Sequence, residues 1–210
     1  MSIQVQTIVT GPFQENTFII SDPETRKALI IDPGDESERL IQKINTNQYC
    51  LLAILNTHAH LDHIGAVSDL MNKWDLPFYL HKGEEIVLQS YEESCRLMGL
   101  PHSKKPCVDY WIHNEETLNV GPFVLKVIQT PGHTPGGITY LIENHVFIGD
   151  TLFYGSVGRT DLPGGNWTVL ETSLRLLIQE LDPEAIIHSG HGPDTTMKRE
   201  RKENPFLFRL

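Results

Sequence analysis

The stretch His58-Ala59-His60-Leu61-Asp62-His63 is the most informative part of this 210-residue chain. It follows an apolar run at residues 51–55 that predicts a buried β-strand, so its side chains are expected in a loop at a sheet edge. We expect Asp62 to cap a helix that starts near His63, so that one turn brings three imidazoles and a carboxylate together. Because these donors bind zinc, iron and manganese, the stretch predicts a metal site. Four donors in six residues exceed what one tetrahedral catalytic ion would take, which hints at two ions.

Three later segments place a similar donor beside glycine at the end of a predicted strand. They are Thr-Pro-Gly-His-Thr at 130–134, Ile-Gly-Asp-Thr at 148–151 and His-Ser-Gly-His-Gly at 188–192. Glycine lets the backbone turn sharply or approach a neighbour closely. Each segment alone is typical of an ordinary turn, and only the ordered set supports the metal-site interpretation.

The remaining pattern predicts an α+β fold. Short β-rich runs lie at 4–9, 16–21, 28–31, 51–55 and 78–80, and again at 108–113, 123–129, 138–142, 146–148 and 185–188. Helical periodicity is found at 36–45, 64–74, 84–98 and 167–181. Two sets of strands with helices between them predict two packed sheets covered by helices, a four-layer αβ/βα sandwich. A content of 40% hydrophobic and 21% charged residues is typical of a globular protein, and we expect one domain over residues 1–210.

The composition disfavours several other classes of protein. A formal charge of -10 works against binding to nucleic acid or to anionic membranes. There is no leader pattern and no apolar run of the roughly 18 residues that a membrane helix needs, so we expect a soluble, cytoplasmic protein. Three cysteines without a CxxC pair predict neither a disulfide framework nor a thiolate metal site, and Cys50 is expected to be a small core residue.

With these motifs in order, the chain resembles the metallo-β-lactamase superfamily of hydrolases, and within it the short bacterial-type glyoxalase II (hydroxyacylglutathione hydrolase) family. The resemblance runs from Gly11-Pro12-Phe13 and Asp32-Pro33-Gly34, through the HxHxDH stretch, to 131–134, 149–150 and 190–192. It implies the metallo-β-lactamase type of four-layer sandwich.

Longer glyoxalase II enzymes carry a C-terminal helical domain that helps to hold glutathione. Because 19 residues follow His191, we expect that domain to be absent.

The resemblance also implies which residues hold metal. Two divalent ions are expected, the first held by His58, His60 and His133 and the second by Asp62, His63 and His191, with Asp150 bridging both. Asp32 either orients a ligand histidine or is an ordinary turn residue. Arg159, in the loop 154–165, either contacts an anionic substrate or pairs with Asp161.

The implied chemistry is hydrolysis of S-lactoylglutathione or a related acyl-thioester by a hydroxide that bridges the two ions, with Asp62 also moving a proton. Zinc is expected, and iron or manganese are alternatives because the same donors accept all three. The alternative functions are a persulfide dioxygenase-like oxidoreductase with one iron, hydrolysis of another ester or a lactone, and a non-catalytic role on a retained fold. The expected partner is a small-molecule acyl-thioester, not nucleic acid or a membrane, and the chain is expected to be a monomer or a homodimer.

Overall fold

Two six-stranded mixed sheets form the framework of the computed structural model, which describes residues 2–100, 104–208 and 210. The first sheet contains, in spatial and chain order, β1 (Gln4–Thr10), β2 (Glu15–Ser21), β3 (Lys27–Ile31), β4 (Cys50–Leu55), β5 (Phe78–His81) and β6 (Tyr110–Ile112). The later strands are β7 (Thr117–Val120), β8 (Phe123–Gln129), β9 (Ile138–Ile142), β10 (His145–Gly149), β11 (Leu152–Phe153), β12 (Ser156–Val157), β13 (Ile186–Ser189) and β14 (Thr195–Thr196). The second sheet has the order β14-β13-β10-β9-β8-β7, and β11 and β12 pair separately.

Helices cover the outer face of each sheet. The first sheet is covered by α1 (Ser37–Thr46), α2 (Leu61–Ile64), α3 (Val67–Trp74), α4 (Glu85–Gln89) and α5 (Tyr91–Met98), and the second by α6 (Trp167–Glu180) and α7 (Met197–Glu203). The longest of these, α6, has 14 residues. Within the described ranges, no helix combines the length and the apolar character needed to cross a bilayer.

The layers follow from the alternation of side chains along the strands. In β2, Phe18 belongs to the core between the two sheets, whereas its neighbour Ile19 packs in the core beneath the helices. In β10, Phe147 faces the first sheet, whereas Val146 and Ile148 pack with α6. Burial on both faces explains why these strands are almost continuously apolar. The predicted four-layer αβ/βα architecture is confirmed.

Several local predictions were wrong. The helix predicted over 84–98 is a 3-10 turn, Lys82–Glu84, followed by α4 and α5, because Ser90 leaves helical geometry between them. Asp62 is not a helix cap: α2 begins at Leu61, and the carboxylate lies in its first turn. Cys50 is exposed, since it starts β4 outside the buried part of that strand. Four short strands, β7, β11, β12 and β14, were not predicted because two to four residues hold too little alternation to recognise.

Four strands end at the same edge of the two sheets. β10 is parallel to β13, and both β8 and β10 are antiparallel to β9, so β8, β10 and β13 run in one direction. The end of β4 joins this edge through a 3.0 Å hydrogen bond from the Ile138 amide to the Thr57 carbonyl. The loops after β4, β8, β10 and β13 therefore meet in one place.

Candidate metal centre

These loops bring all seven expected ligand residues together. His58 and His60 follow β4, Asp62 and His63 lie on α2, His133 follows β8, Asp150 follows β10 and His191 follows β13. Three groups have donor atoms that all lie within 4.8 Å of one another. We call two of them the first triad, His58, His60 and His133, and the second triad, Asp62, His63 and His191. The third group, Asp32, His58 and His63, joins a histidine of each triad to a buried carboxylate.

The first triad is a cluster of imidazoles packed edge to face. The His58 ring centroid lies 4.9 Å from that of His60 and 5.0 Å from that of His133. Nδ1 of His60 is 2.9 Å from Nε2 of His133, and Nδ1 of His133 donates to the Arg159 carbonyl at 2.7 Å. Burial lowers the pKa of His58 well below its usual value, and burial with the nearby His133 lowers the pKa of His60 to about 4. Such imidazoles are neutral near pH 7, which is the form that binds a cation.

The second triad carries more negative charge. Oδ2 of Asp62 lies 3.3 Å from Nε2 of His191 and 4.0 Å from Nε2 of the fully buried His63. Burial alone would lower the pKa of His63, but the carboxylates of Asp150 and Asp62 raise it well above its usual value. Burial also opposes the charged form of His191, but the hydrogen bond with Asp62 and the charges of Asp150 and Asp62 together raise the pKa of His191.

Asp150 lies between the two triads. Its Oδ2 is 3.6 Å from Nε2 of His133 in the first triad and 3.6 Å from Nε2 of His191 in the second. Its Oδ1 is 3.4 Å from Nε2 of His63. Burial would raise the pKa of this carboxyl, but His63 and the other imidazoles hold it well below its usual range. One carboxylate thus faces histidines of both groups, which is the arrangement that a bridging ligand needs.

Unsatisfied atoms in the centre show that its residues fit a divalent cation. Nε2 of His58, Nε2 of His63 and Oδ1 of Asp150 are buried and have no hydrogen bond to any described residue. A buried polar group without a partner costs about 1–3 kcal/mol. Coordination to a metal ion would remove this penalty, and imidazole nitrogens and carboxylate oxygens are donors that such ions accept.

Asp32 holds a histidine of the second triad. It is fully buried, and its Oδ2 accepts hydrogen bonds from Nδ1 of His63 at 3.1 Å and from Oγ1 of Thr57 at 2.6 Å. Its Oδ1 accepts from the Thr57 amide at 2.7 Å. Because the proton on Nδ1 is fixed in this way, Nε2 of His63 is left free towards the centre. Of the two interpretations of Asp32, the geometry matches the orienting one.

Two further buried carboxylates support the centre, although no sequence motif marks them. Glu84 accepts hydrogen bonds from the amides of Ala59 at 2.8 Å and Gly136 at 2.7 Å, so it ties the loop after β4 to the loop after β8. Burial raises the pKa of Glu84. Glu15 accepts hydrogen bonds from two threonine hydroxyls, and its Oε1 lies 3.9 Å from Nδ1 of His63. Neither carboxylate could be assigned to the centre from the sequence, because folding alone brings Glu84 to Ala59 and Gly136 and brings Glu15 to His63.

Two glycines allow the loops to approach the centre closely. A Cβ at Gly190 would lie 2.2 Å from Oδ1 of Asp150 and 2.7 Å from Cε1 of His63. Gly149 has φ +53, and its Cβ would lie 2.3 Å from Oγ1 of Thr57. A larger residue at Gly190 would displace Asp150 and His63, and one at Gly149 would displace Thr57, which lies beside His58.

Arg159 contacts the first triad through its backbone and solvent through its side chain. Its carbonyl accepts the hydrogen bond from His133, whereas its guanidinium makes two 2.7 Å hydrogen bonds to the exposed carboxylate of Asp161. These bonds lower the pKa of Asp161 to about 2. The expected pairing with Asp161 is present, and a contact with substrate stays a prediction.

Together, the four-layer sandwich and the His/Asp cluster at its edge define a metallohydrolase of the metallo-β-lactamase type. The metallo-beta-lactamase superfamily matches residues 10–191, and the chain belongs to that superfamily. One relative is the probable metallo-hydrolase YqgX of Bacillus subtilis (strain 168), which is 44% identical over 202 residues, and the alignment covers 94% of each chain. Another is the hydroxyacylglutathione hydrolase GloC of Haemophilus influenzae, which is 37% identical over 209 residues, and the alignment covers 98% of each chain.

Solved structures agree with this assignment. The crystal structure of BLEG-1, a B3 metallo-beta-lactamase, has a TM-score of 0.91 and 41% identity, and the match covers 97% of this chain and 99% of that one. TTHA1623 in a di-iron-bound form has a TM-score of 0.88 and 40% identity, covering 97% of this chain and 100% of that one. The predicted family and fold are confirmed, and the protein is a metal-dependent hydrolase of this superfamily.

Proposed function

We propose that this hydrolase is binuclear and cleaves acyl-thioesters such as S-lactoylglutathione to a hydroxy acid and a thiol. The observation that carries the proposal is the position of Asp150, whose Oδ2 lies 3.6 Å from a histidine of each triad. The similarity to GloC, named for hydrolysis of hydroxyacylglutathione, supports the thioester substrate. Zinc is the proposed metal, and iron is the alternative because the similar TTHA1623 binds two irons.

In this proposal the first triad would hold one ion and the second triad the other, and Asp150, which faces a histidine of each triad, would serve as a ligand to both. A pair of such ions lowers the pKa of a bound water towards neutrality and polarises a substrate carbonyl. The protein keeps the donor atoms in place. Asp32, the Arg159 carbonyl and the Phe13 carbonyl accept hydrogen bonds from Nδ1 of three different histidines, so each of these imidazoles presents Nε2 to the centre.

Asp62 is the proposed proton acceptor. Its side chain is 19% exposed, whereas His63 beside it is fully buried, so Asp62 lies where the centre opens towards substrate and solvent. It would take up the proton that water loses as it attacks the thioester carbonyl. The thiol leaves as a thiolate that is stable near neutral pH, so no general acid is required on the departing sulfur.

The test combines metal analysis with paired assays on one preparation. We expect two ions per chain and hydrolysis of S-lactoylglutathione by the wild-type protein, and in the variant His133→Ala we expect one ion fewer per chain and no hydrolysis. Oxygen uptake on glutathione persulfide with one iron per chain would instead establish the oxidoreductase alternative. A β-lactam substrate is included because BLEG-1 is 41% identical. Hydrolysis of the β-lactam without hydrolysis of any thioester would overturn the proposed substrate class.

A further inference from the structure

A cavity of about 260 Å³ opens beside Asp62. Its walls come from the turn between β1 and β2, the loop after β3, helix α2 and helix α5. It adjoins the metal centre through Asp62, which lines it, and through Phe13, whose carbonyl accepts a hydrogen bond from His191. Pockets that hold a whole drug-sized ligand measure about 300–1,000 Å³. This cavity is therefore suited to one part of a thioester rather than to the entire molecule.

The lining of the cavity combines apolar side chains with two carboxylates. Tyr91 and Cys95 are buried in its wall, and Leu100 adds apolar surface. The charged residues that line it are Asp35 and Asp62, and no lining residue in the described ranges is Arg, Lys or His. A carboxylate that entered would lose hydration and face the like charge of Asp35, since Asp62 is a proposed metal ligand, whereas an apolar group would be stabilised by burial.

The other side of the centre carries an exposed ion pair. There, next to the first triad, the Arg159 guanidinium is 61% exposed and paired with an exposed carboxylate. The thiol carriers glutathione and coenzyme A are anionic, with carboxylates or phosphates. An anionic group of the carrier would replace the exposed Asp161 carboxylate at the Arg159 guanidinium, which favours the carrier on this side rather than beside Asp35.

We propose that the cavity binds the acyl part of the thioester and selects uncharged, apolar acyl groups over acyl groups that carry a carboxylate. This inference rests on the proposed thioester hydrolysis and adds the class of substrate that the enzyme prefers. The thioester carbonyl lies at the metal centre, the acyl chain extends past Asp62 towards Cys95, and the carrier extends towards Arg159.

The first experiment measures kcat/KM of the metal-loaded protein for thioesters of N-acetylcysteamine, a small uncharged carrier. The acyl groups are acetyl, butanoyl, pentanoyl and succinyl. From acetyl to pentanoyl, kcat/KM is expected to rise by up to about fourfold for each buried methylene. The succinyl thioester, similar in length but anionic, is expected to be at least about tenfold poorer than the pentanoyl thioester.

Two variants test charge and size separately. Asp35→Arg places a cation at the exposed edge of the cavity and is expected to raise the succinyl-to-pentanoyl ratio of kcat/KM about tenfold. Glu24→Arg is the matched control, since it makes an equal charge change in an exposed turn outside the cavity and leaves that ratio unchanged. Cys95→Leu reduces the cavity volume, so it lowers kcat/KM for pentanoyl more than for acetyl.

The possible outcomes separate this inference from the proposed function. If the thioesters are hydrolysed at rates independent of acyl length and Asp35→Arg leaves the succinyl-to-pentanoyl ratio unchanged, the acyl-site inference is wrong and thioester hydrolysis stands. If no thioester is hydrolysed, the proposed function is wrong. Calorimetric titration with the thioethers S-pentyl- and S-(3-carboxypropyl)-N-acetylcysteamine then shows whether the cavity binds an apolar group more tightly than an anionic one. Tighter binding of the S-pentyl compound, weakened by Cys95→Leu, supports an apolar site, and equal binding of the two thioethers overturns it.

Discussion

The two triads of the centre differ in what holds their side chains. In the first triad, His60 and His133 contact each other, His133 is held by a backbone carbonyl, and the pKa of His60 is lowered by burial. In the second triad, His63 is held by the buried carboxylate of Asp32 and faces that of Asp62. The first triad thus contains imidazoles alone, whereas the second contains the carboxylate of Asp62 and has one histidine, His63, held by the buried acid Asp32. Changes in the two regions should therefore affect different ions.

The largest effect is expected where the two triads meet. Asp150→Ala removes the carboxylate that faces both, so we expect loss of both ions and of hydrolytic activity. Metal content per chain, measured by mass spectrometry, checks this. Asp161→Ala is the control, because Asp161 is exposed and contacts Arg159 rather than the centre. Wild-type metal content in Asp150→Ala would show that Asp150 does not bridge.

The next variant should separate the two triads. His191→Ala removes one donor of the second triad, and we expect loss of chiefly one ion while the first triad keeps the other. Its counterpart, His133→Ala, removes a donor of the first triad. Chelator competition on both variants gives the affinity of the ion that remains. Equal loss of both ions in His191→Ala would contradict the division into two triads.

Asp32→Asn tests the buried acid beneath the second triad. The change keeps the volume but replaces an oxygen that accepts hydrogen bonds from Nδ1 of His63 and Oγ1 of Thr57. Loss of such a supporting contact typically lowers metal affinity about 10- to 100-fold. We expect that decrease for the ion of the second triad alone, measured by stepwise chelator competition. A decrease of the same size at the first triad would mean that Asp32 acts on general stability instead.

Glu84→Gln is the corresponding test beneath the first triad. An amide cannot accept both hydrogen bonds from Ala59 and Gly136, so one buried amide loses its partner. Urea denaturation of the metal-free protein should show a free energy of unfolding lower by about 1–3 kcal/mol. The metal affinity of the first triad should fall less than in Asp32→Asn, because Glu84 contacts loop backbone rather than a ligand side chain. A selective loss at the second triad would contradict this assignment.

The sequence predicted the parts of the centre that are local or ordered along the chain. His58, His60, Asp62 and His63 fall within six residues, and the later donors stand beside glycines at strand ends. Glu84 could not be predicted, because its partners Ala59 and Gly136 are 25 and 52 residues away and only folding brings them together. The four layers followed from the apolar runs, whereas helix breaks such as that at Ser90 depend on local geometry that periodicity does not show.

The smallest effect is expected at Arg159, whose backbone carbonyl contacts His133 and whose guanidinium contacts Asp161. Arg159→Ala keeps the carbonyl that accepts the hydrogen bond from His133, so metal content and kcat should stay at the wild-type level. If the thiol carrier extends towards the guanidinium, KM for S-lactoylglutathione rises severalfold, whereas KM for the uncharged N-acetylcysteamine thioesters does not change. Arg175→Ala, a change on α6 away from the centre, is the control. An unchanged KM for both carriers would show that the guanidinium only pairs with Asp161, and the first triad would then depend on this loop through its backbone alone.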